Sequence, residues 1–469
     1  MTSERRMFAW MAGLVFGLKV VGVLVDPQMR LFLGDSSSYL FAARADDWLP
    51  PDRSFVYPIL IRWFVWPSGW LGVLLYWQTL LGIGTAVLTG WILRRRLDLP
   101  RTLVILAACS LALGPAQLFY ERMVLAETAG LCAFVAFFAA ASAYLARGRA
   151  IWLPVSVLLG LAAASLRMNY VPVVIVISLG LPLLRLFDPA ARPSRRRLLA
   201  HGVAAVACFA LAHGAYREYV GERFQTSPGY IGTVGFMRMG LVAPLITPGN
   251  FVRAGLPADF AKRLTFDLSD PDTRPVQLWM KGGLADAIAK QGLDVEKTCR
   301  KLSAYALRED PFGLVRLGLH TLGGYFDPPN ARMRLDRDLI RAPSPYPDTV
   351  IADVREHWHY DVEGVTRHWT PVSRWFAIGA PWLVACLFLL LPLGVFNVIV
   401  HWRDRRRAQY LLGALVGAGL VLTHVLFSSI ASYRYLHAFP LFVLINGLPL
   451  GVTLWRRVAA RAPAGLVAD

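Results

Sequence analysis

Apolar segments close to twenty residues long recur from one end of this chain to the other, and that length limits sharply what the chain can become. About 20 apolar residues are what an α-helix needs to cross the hydrocarbon core of a bilayer. Inside lipid every backbone N–H and C=O has to be satisfied within the segment itself, so such runs select helices. Segments near 7–25, 70–93, 102–119, 124–145, 151–167, 170–187, 198–217, 374–400, 409–428 and 436–455 fit the pattern. They predict an all-α polytopic membrane protein with about ten transmembrane helices. A composition that is 56% hydrophobic over 469 residues agrees.

The formal net charge of +18 would suggest a nucleic-acid partner in a soluble protein, so its distribution decides. Arg5 and Arg6, Arg94–Arg96 with Arg101, Arg147 with Arg149, Arg192 with Arg195–Arg197, Arg403 with Arg405–Arg407, and Arg456 with Arg457 occupy alternate loops. All fall on one side of the expected arrangement. The positive-inside rule makes that side cytoplasmic and places both termini there. No basic groove interleaved with aromatics is present, which argues against nucleic acid, and anionic lipid headgroups are the ordinary partners of such arginines. The charged start and apolar run resemble a secretory signal, but no small-residue cleavage site follows, so 7–25 is read as a retained span. Cys109, Cys132, Cys208 and Cys386 fall in spans and only Cys299 in a large loop, which leaves no pair for a disulfide outside the membrane. Abundant arginine, scarce lysine and many Ala, Gly and Leu residues are compatible with a GC-rich bacterial genome.

The organisation is asymmetric. Residues 1–217 form an N-terminal transmembrane module with an outward loop at 26–69, residues 218–373 an extracytoplasmic helical region, and residues 374–469 a C-terminal transmembrane module and tail. Within the middle region, Thr298–Phe326 reads as amphipathic helices broken around Asp310-Pro311. Leu302, Ala306, Leu314, Leu317 and Leu322 lie among the apolar positions, with Arg300, Lys301, Arg308, Arg316 and His320 on the polar face. Such helices suit the bilayer surface. His320 is a candidate substrate contact.

Charged and polar residues gather at the expected outer ends of the spans. In Gly34-Asp35-Ser36-Ser37-Ser38-Tyr39, Asp35 is the first choice for a general base, and it also suits a helix N-cap. Arg53-Ser54-Phe55-Val56-Tyr57-Pro58 follows. Glu121 stands beside Arg122, a local partner for it, whereas Glu127 lies about one and a half turns into the next helix and needs another cation. Arg167, near Asn169 and Tyr170, can supply one, and Arg434 in Ser432-Tyr433-Arg434-Tyr435 is a further cation. Arginine binds phosphate oxygens through parallel hydrogen bonds, so Arg53, Arg167 and Arg434 form a candidate anion site. Glu356-His357-Trp358-His359-Tyr360-Asp361, with Glu363 and His368, offers ligand types that zinc or manganese accept, but without a closed ligand spacing. A divalent metal is therefore an option, and no metal ligand is assigned.

The order Gly34-Asp35…Tyr39, Arg53…Tyr57-Pro58, Glu121…Glu127-Thr128, Arg167, Asp310-Pro311-Phe312 and Tyr433-Arg434-Tyr435 resembles the GT-C superfamily of integral-membrane glycosyltransferases. The likeness is to bacterial polyprenyl-phosphate-sugar-dependent enzymes related to protein mannosyltransferases and the lipid A aminoarabinose transferase. It implies Asp35 as the catalytic carboxylate of the first loop, with Glu127 and Glu121 as further acidic residues. It implies donor-phosphate binding by Arg53, Arg167, Arg434 and Tyr435, and substrate contacts from Tyr39, Tyr57 and His320. Where some members carry an Asp-Glu pair, Ser36 follows Asp35 here, which weakens an assignment as a protein O-mannosyltransferase. The expected reaction is transfer with inversion from a polyprenyl-phosphate sugar to a glycolipid, polysaccharide or protein hydroxyl, at the outer face of the bacterial inner membrane. The alternative class is a lipid or glycan transporter or flippase. It predicts charges along the middle of several spans or a repeat between halves, and neither stands out.

Overall fold

The computed structural model describes residues 3–188, 193–339, 346–362 and 369–460. Among these the regular elements are all helices. The first part of the chain forms α1 (Ser3–Val25), α2 (Leu33–Arg44), α3 (Val56–Phe64), α4 (Gly72–Arg95), α5 (Arg101–Ala112), α6 (Pro115–Tyr120), α7 (Glu127–Arg147), α8 (Trp152–Leu166), α9 (Val171–Leu184) and α10 (Arg195–Phe224). An insertion then carries α11 (Val234–Val242), α12 (Pro248–Ala254), α13 (Arg274–Trp279), α14 (Leu284–Ala289), α15 (Val295–Glu309), α16 (Gly313–Gly323), α17 (Pro328–Asp338) and α18 (Asp348–Trp358). The chain closes with α19 (Pro371–Val400), α20 (Arg407–Phe427) and α21 (Phe439–Ala459).

Eight helical segments among the described residues are long and apolar enough to cross a membrane. The protein is thus a helical polytopic membrane protein by length and composition, with fewer full-length spans than the ten read from hydropathy. The two segments that fall short have local causes. The stretch at 102–119 is split: α5 stops at Ala112, Gly114 turns the chain, and Pro115 opens α6. Proline has no N–H to continue the ladder and is well tolerated in a helix's first turn. The stretch at 151–167 forms the 15 residues of α8, ended by Arg167 in an extended conformation with φ −141° and ψ 108°. Fifteen residues rise only about 22 Å.

The packing follows from residue spacing. On α1 the buried stripe is Met7, Met11, Val15 and Lys19, four residues apart, and the other positions are half-buried or exposed. Helix α4 lies against it, with Gly90 leaving room for Met11. The most enclosed span is α7, whose small residues let α4, α8 and α20 approach closely. At one end of the bundle the arginine-rich loops converge: Arg95 pairs with Glu4 at 2.9 Å and Arg406 with Asp98 at 3.0 Å.

The insertion has its own apolar core, built from Met239, Val242, Phe251, Phe260, Leu284, Ile288, Cys299 and Leu302. It is anchored to the membrane helices through α16, where Gly318 sits against the backbone of Val425. Phe312, Val315 and Leu319 form the opposite, exposed stripe of this amphipathic helix. Asp310 accepts from the backbone N–H of Gly313 at 2.8 Å, which marks the expected break before α16.

Candidate functional site

The segment between α1 and α2 is held first. Arg30 pairs its backbone with the turn after α6, donating to Arg122 O at 2.7 Å and accepting from Val124 N–H at 3.0 Å. Its guanidinium group reaches Thr370 and Ser373 at the start of α19, and Asp26 accepts from Thr370. Helix α2 begins at Leu33, so Asp35 lies in the first turn and is not the N-cap. The anchor of this turn is Ser36, fully buried, which accepts from Phe32 N–H at 2.7 Å and donates to Val124 O at 2.9 Å. At the other end of α2, Arg62 donates to the carbonyls of Ala42 and Ala43, satisfying groups a helix end leaves open.

With α2 fixed, five sequence-predicted residues meet. Arg53 donates to Asp35 Oδ1 at 2.7 Å and Arg434 to Asp35 Oδ2 at 2.6 Å. Arg434 also donates through Nε to Glu127 Oε1, and Arg167 Nη1 donates to that same oxygen. Arg53 holds Asp52 through Nη2 at 2.5 Å. The result is one ladder, Asp52–Arg53–Asp35–Arg434–Glu127–Arg167, in which three guanidinium groups alternate with three carboxylates. Asp35 is the most open member, with its side chain 27% exposed, and Glu127 the most buried at 1%. Gly130 makes the inner end feasible, since a Cβ there would stand 2.5 Å from Arg167 Cγ.

Aromatic rings wall the ladder. The Arg434 guanidinium lies 5.0 Å from the Phe32 ring centroid, and that of Arg167 lies 5.9 Å from Tyr435. Tyr39, one turn beyond Asp35, and Tyr57 at the start of α3 pack edge to face at 5.0 Å, both buried. Burial and the neighbouring Asp35 carboxylate push the Tyr39 phenol well above its usual range. For Asp35 burial alone would raise the carboxyl, but Arg434 and Arg53 outweigh it and hold the group below the ordinary carboxylate range. In this state Asp35 is ionised and a weak base.

Other candidates lie elsewhere. Glu121 is sealed in the bundle, 2.5 Å from Lys19 Nζ and 2.7 Å from Gln117 Nε2. Arg122, expected beside it, instead donates to the carbonyls of Gly22, Asp26 and Leu118. His320 on α16 faces Asp272 at 3.2 Å. His357 lies in the last turn of α18 near Asp353, whereas His359 follows the helix in a left-handed conformation with φ 44°. Among the described residues no group of three or more His, Cys, Asp or Glu is placed to hold a metal ion. Glu363 and His368 lie outside the described residues.

Sequence reasoning missed Lys19, Asp26, Arg30, Asp52 and Asp338. Lys19 carried a signal as the one charge in the apolar run after Arg6, and Asp52 as the neighbour of Arg53. Asp338, next to Arg337 on a polar helix, carried none. Comparison with protein-family models, curated proteins and solved structures returned no match for this chain.

Proposed function

We propose that the ladder is the active site of a glycosyltransferase that moves a sugar from a polyprenyl-phosphate donor to a hydroxyl acceptor, with inversion, at the outer face of a bacterial inner membrane. The observation that carries this reading is the convergence of Asp35, Arg53, Glu127, Arg167 and Arg434 from five separate segments into one connected cluster. A purely structural ion pair needs two groups. Here Asp35 is held by Arg53 and Arg434 together, and Glu127 by Arg434 and Arg167.

In this reading Arg53, Arg167 and Arg434 hold the donor phosphate. The acceptor oxygen attacks the anomeric carbon, the bond to the phosphate oxygen breaks, and its electron pair leaves on polyprenyl phosphate, whose charge the arginines stabilise. The acceptor proton passes to Asp35. The donor phosphate draws Arg53 and Arg434 away from Asp35, and a carboxylate relieved of two cations is a stronger base. Binding the donor thereby arms the base. A cavity of about 190 Å³, lined by Gly82, Ala86, Leu111, Pro115 and Leu441 with Gln117 and His437 at its polar wall, offers apolar space for part of the lipid chain.

The test is transfer from a panel of radiolabelled polyprenyl-phosphate sugars into envelope extracts, by the purified protein and by Asp35→Asn. Transfer by the wild type and its loss in the variant support the reading. A folded wild type that transfers from no donor refutes it and favours transport or assembly.

A further inference from the structure

Asp338 ends α17 and is 3% exposed. Both its oxygens accept from Ser432 Oγ at 3.1 Å. Ser432 Oγ in turn accepts from the backbone N–H of Arg434 at 3.3 Å, capping the 3-10 turn Tyr433–Leu436. Two further residues of the insertion hold the same stretch: Tyr325 donates to Ser432 O at 2.8 Å, and Thr321 donates to Ser428 O at 3.2 Å. The Tyr325 ring meets Tyr433 edge on at 5.9 Å. The insertion therefore grips the segment that carries Arg434.

We propose that Asp338 is a positioning residue of the ladder: by holding Ser432 it fixes the turn that aims Arg434 at both Asp35 and Glu127. Arg434 needs such a hold because it spans two carboxylates on different helices, and a small rotation of the turn would break one contact. Stability does not explain the carboxylate. Its side-chain partner is a neutral hydroxyl, and burial pushes the group up to about 6 despite that bond, the nearby Arg434 charge and the backbone N–H groups of Tyr433 and Arg434. A neutral acceptor would grip Ser432 at lower cost. Asp338 acts through its acceptor oxygens, which hold Ser432 at the head of the turn that carries Arg434.

The functional half of this inference rests on the proposed donor, so the experiment has two readouts on the full-length protein in detergent. One is hydrogen exchange at the amides of 432–435, and the other is binding of sugar-free polyprenyl phosphate. The variants are Asp338→Ala, Asp338→Asn and Ser432→Ala. The Ala variants are expected to exchange faster at 432–435 and to bind roughly tenfold more weakly, while Asn keeps an acceptor and stays within about threefold of wild type. Combined with Arg434→Ala, Asp338→Ala adds no further loss. Unchanged exchange in both Ala variants overturns the positioning role whatever the lipid does. Faster exchange with undiminished binding overturns its link to the ligand site. Loss of transfer in Asp338→Asn with normal exchange and binding makes Asp338 a proton acceptor, which also overturns the proposal. If the wild type binds no polyprenyl phosphate, the donor reading falls and exchange alone decides the positioning role.

Discussion

Removing one half of the Lys19–Glu121 pair is the sharpest test of how the bundle is held. The two groups are 2.5 Å apart and each side chain is 1% exposed, so neither has water to fall back on. Gly82 packs directly against the carboxylate, leaving no room there for a Cβ. Taking an ion to this depth costs several kcal/mol, offset only while its partner remains. Lys19→Met keeps the length of the side chain but strands Glu121 with Gln117, and should cost about 3–5 kcal/mol. Lys19→Met with Glu121→Gln removes both charges and keeps a contact for Gln117, so it should lie within about 1 kcal/mol of wild type. Thermal denaturation in detergent reads both. The single variant should melt early and the double should recover. If Lys19→Met melts like wild type, or the double is as weak as the single, the reasoning about buried charge fails. Transfer activity adds a second check: a stable but inactive double variant would return Glu121 to the reaction.

Three other outcomes follow. The Asp338 carboxyl is raised from 3.8 to about 6, so the folded state binds the extra proton between those values. Its contribution is complete below about pH 4 and is lost as pH rises through about 6, by up to ~3 kcal/mol. Melting curves of wild type and Asp338→Asn should therefore diverge in the variant's favour between pH 4 and 7, and parallel curves would refute the assignment. Gly130→Ala places a methyl 2.5 Å from Arg167 Cγ and should displace that arginine from Glu127, costing about 1–3 kcal/mol of stability and weakening polyprenyl-phosphate binding in a titration. Ser36→Ala removes the partner of Phe32 N–H and Val124 O and should destabilise by about 1–3 kcal/mol in the same melting assay.

Much of the architecture was legible because lipid imposes a simple rule on length and hydropathy, and the helices follow it. The rule says nothing about breaks, and so it overlooked the turn at Gly114-Pro115 and the extended backbone at Arg167. The ladder was readable as a set of candidates, since Asp35, Arg53, Glu127, Arg167 and Arg434 are each expensive to place beside lipid and all sit at segment ends. Their pairing was not readable. Glu121 and Glu127 look alike in sequence, yet they take partners on different helices, Lys19 on α1 for one and Arg167 with Arg434 for the other. Adjacency misled at Arg122, whose guanidinium group serves backbone carbonyls in place of its neighbour. Asp338 was invisible because its significance comes from Ser432, 94 residues away.

The even alternation of the ladder has a consequence for discrimination. Three guanidinium groups matched by three carboxylates carry no net charge, so the cluster does not act as a general trap for anions. In the proposed reading, a donor phosphate arriving there must displace a carboxylate that already makes a comparable contact, an exchange worth little on charge alone. The anionic headgroups crowding any membrane surface thus compete poorly for this position. On the same reading the donor must contribute something that ordinary lipids lack, in its chain or in the sugar it carries, and selectivity would be set there.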